Sequence, residues 1–190
     1  MNGQNKSPVI LGGRYTLTEQ VRNGAQATVT QAFDVKTASL VAIKRVKFGP
    51  DDQRGQAGFQ REVELLQELN HPNIVAVLDV DRDPEGNWYL VLDWIPKNLE
   101  DVIKEEGEMS WHEYWERFGE ILLEAIAYAH KRPIAHRDIK PKNILVRDDG
   151  QPLLADYGIA KLIDNGGSWA PVAGFTFRFD RTPGYTPEKP

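Results

Sequence analysis

His136-Arg137-Asp138-Ile139-Lys140-Pro141-Lys142-Asn143 is the stretch from which the rest of this 190-residue chain can be read. Asp138 offers a carboxylate that can take a proton from a hydroxyl nucleophile. Asn143 presents an amide oxygen, a hard donor of the kind Mg2+ accepts. Lys140 can lie beside a phosphoryl group in transfer. The bland alternative is a solvated basic loop, since Lys131, Arg132, Arg137, Lys140 and Lys142 all fall within it or just before it.

The flanking segments narrow the choice. Downstream, Ile144–Val146 and Pro152–Ala155 read as two short strands joined by Asp148-Asp149-Gly150, a hairpin signal. Asp156-Tyr157-Gly158 follows. A carboxylate at a strand end can hold Mg2+ against phosphates, and Gly158 lets the chain turn sharply; alone the tripeptide is an ordinary turn. Upstream, Ser110-Trp111-His112-Glu113 reads as a capping box. It opens a helix whose buried face is Ile121, Leu122, Ala125, Ile126 and Ala129.

Before Leu92 the pattern is mainly strand. Tyr15–Thr18, Ala27–Val35, Leu40–Lys47, Ile74–Val80 and Trp88–Leu92 predict an antiparallel sheet of five strands. Asp83-Pro84-Glu85-Gly86-Asn87 separates the last two. One helix interrupts them, with Phe59, Val63, Leu66 and Leu69 on one face, stopping at Asn70 before Pro72. On Val41-Ala42-Ile43-Lys44 the lysine shares its strand face with Ala42 and needs a partner if buried. Glu62 on the following helix is the natural one; the alternative is an edge lysine that discourages aggregation. The layout predicts two lobes with a cleft near Asp93–Lys97.

Composition sets outer limits. Hydrophobic residues make up 41% and charged residues 27%, a normal globular balance, and the net charge of -5 disfavours a nucleic-acid binder held by global positive charge. The absence of cysteine excludes a disulfide framework, thiolate zinc fingers and a cysteine nucleophile. No run approaches the roughly 20 apolar residues of a membrane helix, and the polar start, Met1–Pro8, lacks a signal-peptide core. A soluble, cytoplasmic protein without a membrane segment is expected.

With these segments in place, the chain from about Tyr15 to Glu188 resembles a protein kinase of the eukaryotic Ser/Thr type. The resemblance rests on the His136–Asn143 loop, Asp156-Tyr157-Gly158, Val41–Lys44, and Thr182-Pro183-Gly184-Tyr185-Thr186-Pro187-Glu188, similar to the end of an activation segment. It implies an α+β, two-lobed fold: a small lobe at 14–92 with a five-stranded antiparallel sheet and one helix, a hinge at 93–97, and a mainly helical, incomplete large lobe at 98–190, after a loose leader at 1–13. It also implies ATP and Mg2+ as cofactors and a protein Ser/Thr hydroxyl as acceptor, with no nucleic-acid partner.

The resemblance assigns roles by position. Asp138 would orient and deprotonate the substrate hydroxyl, with Lys140 of the Ser/Thr-specific form beside it. Lys44 would contact the ATP phosphates and pair with Glu62. Asn143 and Asp156 would hold Mg2+. Leu92 would be the gatekeeper, with Asp93 and Ile95 reading adenine through backbone groups. Val21, Gly24, Val29, Ala42 and Leu145 would enclose the nucleotide. Leu66, Val77, His136 and Tyr157 match an internal hydrophobic stack. Ser168 and Thr176 are candidate phosphate acceptors, with Arg137 as the cation for such a phosphate; Thr182 would face the substrate.

Two departures stand out. In Arg22-Asn23-Gly24-Ala25-Gln26-Ala27-Thr28-Val29 only the middle glycine of the usual glycine-rich loop remains, and Arg22 replaces the first, where it could add a cation near the nucleotide. The chain also ends two residues after Glu188, before the remaining large-lobe helices, so Trp111, Trp115, Phe118 and Ile121 are expected to be partly exposed. The alternative function is a nucleotide-binding pseudokinase or regulatory module. A small-molecule kinase is disfavoured by the peptide-substrate features of the His136–Pro141 and Thr182–Tyr185 segments.

Overall fold

Turn chemistry lays out the first half of the molecule. The computed structural model describes residues 9–23, 27–46, 48, 53–132, 134–136 and 138–157, leaving out the side chains of Arg54 and Glu62. Asp34 accepts hydrogen bonds from the Lys36 amide at 2.9 Å and the Thr37 hydroxyl at 2.8 Å. This closes the turn between β3 (Ala27–Asp34) and β4 (Ser39–Val46). Asp83 accepts from the Asn87 amide at 2.8 Å, and Gly86 takes a φ of 84°, closing the turn between β5 (Val77–Arg82) and β6 (Trp88–Asp93).

The sheet has six strands where the sequence predicts five. β1 (Ile10–Leu11) pairs antiparallel with β2 (Tyr15–Asn23), and the order is β1-β2-β3-β4-β6-β5. The extra strand falls in the stretch read as a loose leader. Gly12 and Gly13, with φ of 55° and 65°, fold it back, and Leu11 is buried. β2 also runs on to Asn23, well past the predicted Thr18, whereas β5 begins at Val77 rather than Ile74. Ile74 instead forms an isolated parallel bridge with Leu154.

The two sheet faces pack separately. Leu11, Tyr15, Ala32, Val41, Ile43, Tyr89 and Val91 form a cluster on one face. On the other face, Leu90 and Val46 join a larger core containing Phe59, Val63 and Leu66 of α1 (Gln53–Gln67). The same core continues through Leu99 and Val102 of α2 (Leu99–Glu106), Leu122, Ala125 and Ala129 of α4 (Glu120–His130), and Leu154 and Tyr157. One hydrophobic interior thus joins the sheet half to the helical half.

The capping box lies elsewhere than predicted. Asn98 accepts from the Asp101 amide and Asp101 accepts from the Asn98 amide, both at 3.1 Å, at the start of α2. Ser110 accepts from the Glu113 amide at 3.2 Å and caps α3 (Trp111–Tyr114), but the Glu113 carboxylate is taken by Arg117, also at 3.2 Å. A π-helical turn at Trp115–Gly119 joins α3 to α4. Along this helix Trp111 and Trp115 are exposed, as expected, but Phe118 is buried, since it turns into the core beside Leu122.

A second sheet of three strands underlies the cleft. β7 (Lys97–Asn98) pairs with β8 (Ile144–Val146), and β8 with β9 (Pro152–Leu154). No helix among the described residues is long and apolar enough to cross a membrane.

Candidate active site

The loop at His136–Asn143 is fixed by its own polar groups. Pro141 starts a single 3-10 turn, Pro141–Asn143, that delivers Asn143 onto β8. The Asn143 side-chain amide donates to the Asp138 carbonyl at 2.8 Å and to Asp138 Oδ2 at 2.9 Å. Lys140 Nζ donates to the same Oδ2 at 2.7 Å. Asp138 is therefore oriented by a cation and an amide acting on one carboxylate oxygen. Arg137 lies outside the described residues.

His136 anchors the loop from beneath. Its Nε2 lies 2.7 Å from the Ala155 carbonyl oxygen, and the Asp138 amide donates to its Nδ1 at 3.3 Å. Nε2 therefore carries the proton and Nδ1 accepts, which is the neutral tautomer. Burial pushes the imidazole below its usual pKa and favours that neutral form. The Ala155 amide donates to the Asn143 carbonyl at 2.9 Å, so two hydrogen bonds tie the loop to the residue before Asp156.

Asp156 takes a φ of 60°, a left-handed conformation that aspartate tolerates better than most side-chain-bearing residues. Its Oδ1 lies 2.6 Å from Nζ of Lys44, which is buried on β4. A buried ammonium needs such a partner, and across 112 residues of chain the structure supplies Asp156. The side chain of Glu62, the partner expected from sequence, lies outside the described residues, although its backbone is in α1.

The strand register places the remaining residues. Ala42 stands opposite Leu92, and Val41 opposite Asp93. Leu92 and Leu145 pack on a buried cluster that includes Ile95. Val29 stands opposite Lys44. Between Leu17 and Val21, β2 advances four residues while β3 moves two, from Ala32 to Thr30. Arg22 consequently takes the position opposite Val29. Val21 stands opposite Thr30 and is 48% exposed. The sequence does not reveal this irregularity, because no glycine or proline marks it. Gly24 and Gly158 lie outside the described residues, as do Ser168, Thr176 and Thr182–Glu188.

Leu66, Val77 and Tyr157 line one cavity behind Lys44 and Asp156. The His136 ring lies 4.6 Å from that of Tyr157, so the four expected stack positions are contiguous. Among the described residues no three carboxylate, histidine or cysteine side chains gather as a metal cage. The donor set fits Mg2+ in another way. This ion needs only one or two protein oxygens beside phosphates and waters. The Asn143 amide nitrogen is committed to Asp138, which leaves its oxygen as the ligating atom, and the Asp156 carboxylate is partly exposed.

Comparison with known proteins gives the same picture. The protein kinase domain family matches residues 15–188. Cyclin-dependent kinase D-1 of Oryza sativa subsp. japonica is 34% identical over 149 residues, 78% of this chain and 35% of that protein. A probable serine/threonine-protein kinase of Clostridium perfringens is 37% identical over 158 residues, 82% of this chain and 23% of its own length. The mitogen-activated protein kinase sma-5 of Caenorhabditis elegans is 36% identical over 154 residues, 80% of this chain and 30% of that protein. The chain thus spans about a third or less of the length of these relatives.

Proposed function

Because the chain belongs to the protein kinase family, we propose that it transfers the γ-phosphoryl group of ATP to a serine or threonine hydroxyl of a protein. The observation that carries this reading is the double hold on Asp138 Oδ2 by Lys140 and Asn143. It aims one carboxylate at an acceptor hydroxyl and sets a cation beside it, which is what phosphoryl transfer asks of a protein. The hydroxyl proton passes to Asp138 as the new O–P bond forms, while the bond from the γ-phosphorus to the β,γ-bridging oxygen breaks and ADP leaves with that electron pair. Lys140 balances charge on the moving phosphoryl group. Lys44 leaves Asp156 to meet the α- and β-phosphates, and the adenine lies between Val29, Ala42 and Leu145. Mg2+, for which Asn143 and Asp156 are the candidate ligands, supplies positive charge against the phosphate oxygens.

A second reading, a nucleotide-binding regulatory module without transfer, draws on the Lys44–Asp156 ion pair. That pair has to open before Lys44 can reach a phosphate. Rates of peptide phosphorylation by the full-length protein and its Lys44→Met and Asp156→Asn variants decide between them. The transfer reading expects each variant to lose on the order of 10²-fold or more. A near-normal rate in either removes the assignment.

A further inference from the structure

Arg22, like Lys44, is a cation of the sheet that reaches beyond it. It stands opposite Val29 of β3, which in turn stands opposite Lys44 of β4. Residues directly opposed on antiparallel strands share a face. Arg22, Val29 and Lys44 therefore form a row on the face that looks into the cleft. The Arg22 side chain crosses that cleft. Its guanidinium carbon lies 4.9 Å from the centroid of the Trp94 ring, and its Nη2 donates to the Pro96 carbonyl oxygen. Trp94 and Pro96 sit between β6 and β7, on the segment that connects the large sheet to the three-stranded one. One side chain of the sheet thus grips the far side of the cleft at two points.

Arginine suits this task for a chemical reason. Its flat guanidinium can stack on an indole while its edge donates to a carbonyl. A lysine offers one point charge, and a glycine offers neither contact.

We propose that Arg22 is a latch across the mouth of the nucleotide pocket, closed on Trp94 and Pro96, that sets how fast a nucleotide enters and leaves. The inference rests on the reading of this cleft as an ATP site. A contact made with the pocket empty and remade with it filled contributes equally to both states and cancels from the affinity. It has to break during passage in either direction, so it remains in both barriers.

Stopped-flow binding of a fluorescent N-methylanthraniloyl ATP with Mg2+ to the full-length protein tests the latch. Arg22→Gly should raise the association and dissociation rate constants together, each roughly fivefold or more, with the ratio of the two nearly unchanged. Arg22→Lys should fall between Arg22→Gly and the parent. Trp94→Leu should reproduce part of the acceleration, yet add none in the Arg22→Gly background, because both remove the same contact. Unchanged rates in an Arg22→Gly protein that still binds the probe overturn the latch alone. Faster release with unchanged association overturns it as well, since Arg22 would then be a direct nucleotide contact. A parent protein that binds no probe overturns the ATP reading and the latch with it.

Discussion

Tyr157 buries a hydroxyl that no described residue uses. The residue is 4% exposed, yet its oxygen has no hydrogen-bond partner among the described residues, and burial raises its pKa so that it stays protonated. An unsatisfied buried polar group costs about 1–3 kcal/mol, and removing it without leaving another orphan is neutral or favourable. Tyr157→Phe should therefore leave stability to urea unchanged or raise it by about 1 kcal/mol, with the denaturant slope preserved; a loss of that size would show that the hydroxyl is partnered. At this scale the sequence is legible where residue type and interval carry the chemistry. Asp138, Lys140 and Asn143, singled out within one loop, meet at one carboxylate oxygen. The Lys44–Asp156 pair was beyond it, because 112 residues separate the two. The sequence suggests Arg22 as a cation near the nucleotide, but not its register opposite Val29, which depends on two extra residues in β2 that no local signal marks.

The joint between α3 and α4 is a π-helical turn, a form common where a helix has to accommodate an extra residue. Gly119 closes it. A Cβ built there would lie 2.5 Å from Trp115 Cε3, so the indole fills the space a side chain needs. Gly119→Ala should lower stability by about 1–3 kcal/mol through this overlap, read as a lower urea midpoint; an unchanged midpoint would mean that the Trp115 ring swings clear at little cost. The periodicity of Ile121 to Ala129 announces the helix but not the turn, because the break shifts the buried face by a fraction of a turn at Phe118. Turn residues made the hairpins readable: Asp83 and Gly86 do in the fold what their types suggest. β1 escaped because two residues show no alternation, although the paired glycines that follow it were a usable signal.

Among the described residues, the largest of three buried clusters spans α1, the sheet, α2, α4 and the strand before Asp156. That continuity holds the sheet that carries Lys44 against the elements that carry Asn143 and Asp156, and the proposed site is the cleft between them. The two-lobed arrangement was legible because strand-like and helix-like periodicities occupy separate parts of the chain, before and after Asp93. The proposed transfer depends on Asp138 acting on the acceptor rather than on the nucleotide. The most direct measurement is single-turnover transfer from γ-labelled ATP to a serine-containing peptide, made with the full-length protein and with Asp138→Asn, after nucleotide affinity has been matched for both. Asp138→Asn should bind Mg-ATP about as well as the parent and transfer label slower by on the order of 10²-fold or more. Transfer by Asp138→Asn at the parent rate, or a parent protein that binds Mg-ATP and transfers nothing, would contradict the proposed transfer.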